Sequence, residues 1–147
     1  MTTTVSTTPT RPQALTAVRR GADTAFGYLA ALFVLAVLAQ VFLAGVGAFA
    51  FGNGSPGFAP HEDLGNVLGI VAVVLFVMSL VSRATRAQWI GALVLALLTE
   101  LAQHGLAAAG SNNVWIGGIH AFDGMLILLL ALWLSLTTLR RNGLLRR

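Results

Sequence analysis

Three histidines, two glutamines and two carboxyl groups carry most of the chemistry this sequence offers, and all lie in or beside long apolar runs. His61 opens His61-Glu62-Asp63-Leu64-Gly65, and His120 opens His120-Ala121-Phe122-Asp123-Gly124. Gln40 ends Leu38-Ala39-Gln40 and Gln103 ends Leu101-Ala102-Gln103; His104 follows, with Glu100 one helical turn before it. Imidazole is a metal ligand and a proton carrier. Ionisable side chains within membrane helices are rare, face the bundle interior and mark functional sites. Glu100 and Asp123 have no Lys or Arg within the apolar runs. An isolated carboxylate ion is too costly there, so each must be protonated or partnered by histidine or water.

The elements that must position these groups follow from composition. Of 147 residues, 56% are hydrophobic and 10% charged, with a mean hydropathy of +0.82; a soluble domain carries about 25% charged residues. Four mostly apolar stretches without Lys or Arg, 25–51, 64–82, 87–109 and 114–139, are each near or above the ~20 residues a helix needs to cross a bilayer. The ~10-residue alternating segments of a membrane β-barrel are missing. The predicted fold is all-α, an integral membrane four-helix bundle. The nine basic residues are all Arg. They sit at Arg11, Arg19 and Arg20, at Arg83 and Arg86, and at Arg140, Arg141, Arg146 and Arg147. With four spans these fall on one side, and the positive-inside rule makes that side, with both termini, cytoplasmic. A bacterial inner-membrane location follows as the expectation. The net charge of +4 then reports topology and contact with anionic lipid heads. Nucleic acid is not an expected partner, since no soluble domain presents a basic face.

Residues 1–20 read as a disordered cytoplasmic tail, Thr/Pro-rich at its start. Residues 21–141 read as the transmembrane domain and 142–147 as a basic cytoplasmic tail. Ala48-Phe49-Ala50 has the shape of a signal-peptidase site, but the preceding run is longer than a signal core, so an uncleaved first helix is expected. With no cysteine, disulfides, thiolate metal sites and covalent haem attachment are excluded.

The Leu-Ala-Gln and His-x-x-x-Gly stretches recur in order, which predicts two tandem helical hairpins related by an axis along the membrane normal. At ~1.5 Å per residue from the nearest arginine, His61, His104, His120 and Gln40 lie at roughly 27–33 Å, near the outer surface. Glu100 and Asp123 lie deeper, at roughly 21 and 25 Å. The cytoplasmic half of the spans holds no ionisable residue. Helical spacing sets Gly65 and Gly69 on the His61 face and Gly124 on that of His120. Such glycines make room for a flat ligand such as a haem macrocycle, or for close helix contact.

Two histidines on the second and fourth of four helices resemble the bis-histidine haem site in each half of haem A synthases. His61-Glu62-Asp63-Leu64-Gly65 is similar to the H-R-x-x-G opening of a helix there, with Glu62 in place of Arg. The chain also looks like a family of small four-helix bacterial membrane proteins, through Gln40-Val41-Phe42-Leu43-Ala44-Gly45, the His-x-x-Leu-Gly at His61 and the histidine opening the fourth helix. The resemblance implies His61 and His120 as axial iron ligands of haem b in a cytochrome b-like membrane protein. Electron transfer or haem handling would be its function, and Gly65, Gly69, Gly124, Gln40 and His104 would lie around the cofactor. The chain has half the helices of a haem A synthase, so a second copy is one implied partner; a quinone or other membrane redox partner is another, beside the lipid bilayer itself. Partners for the outer ring nitrogens are sought in Glu62, Gln40 and Gln103. Two alternatives stand beside this reading: a non-haem metal site at Glu100, His104, His120 and Asp123, and a cofactor-free accessory subunit of a larger membrane complex.

Overall fold

The computed structural model describes residues 11–50 and 57–145. Four helices follow one another: α1 Arg11–Ala48, α2 Ala59–Val81, α3 Arg86–Gly110 and α4 Val114–Arg141. All four are long and apolar enough to cross a membrane. Their ends follow local chemistry. Pro60 stands in the first turn of α2, where its missing N–H is not needed. Thr85 and Gln88 close a reciprocal capping box at the start of α3, and the Asn113 side chain accepts from the Trp115 amide at the start of α4. α4 stops at a Schellman turn. Gly143 takes φ +71, and the amides of Gly143 and Leu144 return to the carbonyls of Arg140 and Leu139.

One boundary departs from the sequence reading. Residues 11–20, expected in a disordered tail, form the first turns of α1. Gln, Ala, Leu and Arg dominate this stretch, all good helix formers, and no proline follows Pro12 before Ala50 to stop them. Residues 1–10 of that expected tail, and 146–147 at the other end, lie outside the described residues.

The helices pack as a ring, α1 on α2, α2 on α3, α3 on α4 and α4 on α1; neither diagonal pair is in backbone contact among the described residues. This is the up-down-up-down bundle, and its two hairpins repeat each other in the core. In α2 and α4, Leu68, Ala72, Leu75 and Ser79 are buried, as are Ile127, Ala131, Leu134 and Thr138, each 59 positions later. In α1 and α3, buried Phe26, Ala30, Phe33 and Val37 match Gln88, Ala92, Leu95 and Thr99 at an offset of 62. Beyond that point the offset becomes 63, as between Gln40 and Gln103. The extra residue is absorbed in a π-helical turn, Leu98–Ala102, within α3. Large apolar side chains such as Leu32, Phe42, Ile70 and Leu129 point outward all round the bundle, a surface suited to lipid.

Candidate functional site

His61 in the first turn of α2 and His120 in the second turn of α4 are held in the same way. The Gln40 amide Nε2 donates to the carbonyl of His61 over 2.7 Å, and His61 Nδ1 lies 3.1 Å from the carbonyl oxygen of Gln40. In the second hairpin Gln103 Nε2 donates to the carbonyl of His120 over 2.9 Å, and His120 Nδ1 lies 3.2 Å from the Gln103 carbonyl oxygen. A carbonyl only accepts, so each contact assigns the proton to Nδ1 and leaves Nε2 with a free lone pair. Each latch ties the end of one helix to the start of the next. The ring partners expected in side chains are therefore backbone carbonyls, and Glu62 takes no part. The buried Gln40 Oε1 has no hydrogen-bond partner.

His61 and His120 come from diagonal helices and meet across the bundle axis. Their ring centroids are 6.2 Å apart and the planes cross at 70°. They bound a cavity of about 300 Å³, at the lower end of small-molecule sites. Its floor is two repeat-related pairs of buried side chains, Val37 with Thr99 and Leu68 with Ile127. The exposed residues of its wall, Glu62, Asn66, His104 and Ala107, all belong to α2 or α3. The mouth accordingly opens between those two helices.

Gly65 and Gly69 make room for neighbouring side chains, whereas a Cβ on Gly124 would meet only an ordinary contact. A Cβ on Gly65 would stand 3.1 Å from Gln40 Nε2, and one on Gly124 would stand 3.9 Å from Gln103 Nε2. Gly69 is covered by the carboxyl of Glu100, which a Cβ there would displace. Gly65 and Gly124 still line the cavity; Gly69 does not.

The remaining polar groups separate into two places. Asp123 is buried, and its Oδ2 accepts the second hydrogen of the Gln103 amide over 2.8 Å; Gln103, not His104, is its partner among the described residues. His104 is exposed, with Nδ1 2.8 Å from the backbone carbonyl of Glu100 and Nε2 3.1 Å from the side-chain amide of Asn66. The Glu100 carboxyl itself has no hydrogen bond or ion pair among the described residues. No group of three or more His, Asp or Glu side chains placed to hold a metal ion exists among those residues. Glu100, His104, His120 and Asp123 thus do not assemble into the non-haem set.

Sequence reasoning missed Asn66, although an amide among apolar residues five positions after His61 was a signal. It also missed a polar clasp at the opposite end of the bundle. Buried Asp23 of α1 pairs with Arg141 of α4. Arg141 also donates to Gln88 of α3, whose amide reaches Thr138 over 3.0 Å. The arginine-marked end therefore holds a buried carboxylate with its own counter-ion. No protein-family model, curated protein or solved structure matches the chain.

Proposed function

We propose that the protein is a membrane cytochrome b-like haem carrier that holds one haem b between His61 and His120. The observation that carries this reading is the spacing of the two rings. A metal–imidazole bond of about 2.0–2.1 Å, extended to the ring centre, sets two coaxial ligands with centroids roughly 6.3 Å apart; the rings stand at 6.2 Å. The donor set agrees. Each Nδ1 is engaged by a backbone carbonyl, the usual orienting contact of a metal-bound imidazole, and each Nε2 is left to bind. Gln40 and Gln103 hold the rings through their own carbonyls. Asp123 fixes the Gln103 amide, and Val37, Thr99, Leu68 and Ile127 exclude water from below.

Haem held by His61 and His120 would supply one-electron exchange, with two protein donors in place of a substrate at the iron. That favours electron transfer or haem handling over oxygen chemistry. The arginines gather at the far end of the bundle, which supports a bacterial inner membrane with both termini cytoplasmic and the histidine pair toward the outer side.

Haemin titrated into the haem-free protein in detergent tests the ligand assignment. The native chain is expected to develop the sharp bands of low-spin iron at one haem per chain. His61→Ala and His120→Ala should each lose them, and His104→Ala should keep them. Equal loading by all four proteins would overturn the assignment.

A further inference from the structure

The two hairpins repeat each other around the histidine pair, but one position breaks the match. The spacing that carries His120 to His61 and Gly124 to Gly65 carries Asp123 to Leu64. The exchange of a carboxyl for an apolar side chain decides how firmly each ring is held. The Gln103 amide spends both hydrogens, on the His120 carbonyl and on Asp123 Oδ2, so its plane is fixed from two sides. A carboxyl group offers an accepting oxygen whether ionised or protonated, and the contact therefore does not depend on the charge of Asp123. Among the described residues the Gln40 amide donates to the His61 carbonyl alone, and its oxygen is buried without a partner.

The helix starts differ in the same direction. His61 lies in the first turn of α2, which has no side-chain cap. His120 lies one turn further into α4, behind the Asn113 cap. A first turn leaves its amides without helical partners and opens at lower free energy than the turns behind it. Residues 111–113 alone join α3 to α4, whereas residues 49–58 join α1 to α2. What His61 has and His120 lacks is the edge of the Phe58 ring; Gly117 stands at the matching position. That ring is 45% exposed and has no hydrogen-bonding group with which to orient an imidazole.

We propose that the two histidines have different tasks: His120 is the fixed ligand, and His61 is the one that leaves and returns, its place open to an imidazole from outside. Asp123 is the positioning residue that sets the difference, acting through Gln103. The inference rests on the histidine-pair reading and divides its two outcomes. A cofactor held firmly on one side and releasably on the other is suited to being handed on, to a recipient that offers an imidazole of its own; electron transfer calls for both ligands to stay in place.

The test reads the rings themselves, in the haem-free full chain in detergent with 15N-labelled histidine. Exchange of each Nδ1 proton with solvent reports how often that ring leaves its carbonyl. The His120 proton should exchange at least about tenfold more slowly than the His61 proton, the effect of one hydrogen bond of ordinary strength. Asp123→Leu should bring His120 to the rate of His61, and Asp123→Asn, which keeps an accepting oxygen, should retain the slow rate. Leu64→Asp, which gives the first hairpin the missing acceptor, should slow His61. Equal rates in the native chain, faster exchange at His120, or an unchanged His120 rate in Asp123→Leu would overturn the proposal whether or not haem binds. With haemin present, added imidazole should bring back the low-spin bands in His61→Ala and leave His120→Ala without them. Equal rescue of the two, or the reverse order, would also overturn it. Unequal proton exchange in a chain that takes up no haemin would support the difference between the latches and remove the histidine-pair reading alone.

Discussion

At the scale of residues, the two latches look alike but are not equally satisfied. Both hydrogens of the Gln103 amide are used, on the His120 carbonyl and on Asp123. Gln40 uses one on His61, and its oxygen is buried without a partner. Gln103→Leu should therefore cost about 1–2 kcal/mol, the upper range for interhelical hydrogen bonds in membranes, because it also strands Asp123. Gln40→Leu, which removes an orphan acceptor, should cost less. Thermal denaturation in detergent compares the two; a larger loss for Gln40→Leu would contradict the assignment. The sequence made His61, His120 and the repeat of Gln and His legible, because polar residues stand out in apolar runs. It pointed to Gln40 and Gln103 as partners of the rings, but not to their backbone carbonyls as the atoms that hold them, since every residue carries the same carbonyl. Gly69 lies apart from the cavity because the room it leaves is taken by Glu100, whereas Gly65 and Gly124 line it.

At the scale of elements, the four spans were legible from length and apolarity alone, but the π-turn in α3 was not. Hydropathy averages over some twenty positions and is blind to one inserted residue. The signal lay in the repeat, where buried positions pair at an offset of 62 before Leu98 and Leu-Ala-Gln pairs at 63 after it. Deleting Glu100 should convert α3 into a regular helix that keeps the Gln103–His120 latch in register. Such a variant should load haemin like the native chain; loss of haemin binding would show that the latch depends on the bulge. Gly69→Ala is expected to act through the same element. Its methyl group displaces the Glu100 carboxyl away from the cavity, so haemin loading by the histidine pair should be preserved.

At the scale of the whole molecule, the bundle is pinned at both ends by polar contacts and filled between them by a repeated apolar core. The arginine-marked end is closed by Asp23, Arg141, Gln88 and Thr138 from three helices. The sequence reading saw arginines there only as markers of topology, because hydropathy does not pair residues 118 positions apart. Arg141→Ala leaves a buried carboxylate with no counter-ion, a change that typically costs about 3–5 kcal/mol. Asp23→Asn should be milder. Melting of both variants checks the order, and a neutral Arg141→Ala would show the clasp to be dispensable. The opposite end carries the histidine pair, on which the functional account rests. Its most direct test is the visible spectrum of the full-length protein purified in detergent from cells supplied with a haem precursor, before and after dithionite. The account requires about one haem b per chain, with low-spin bands that sharpen on reduction and vanish in His61→Ala and His120→Ala. A colourless protein under those conditions would contradict it.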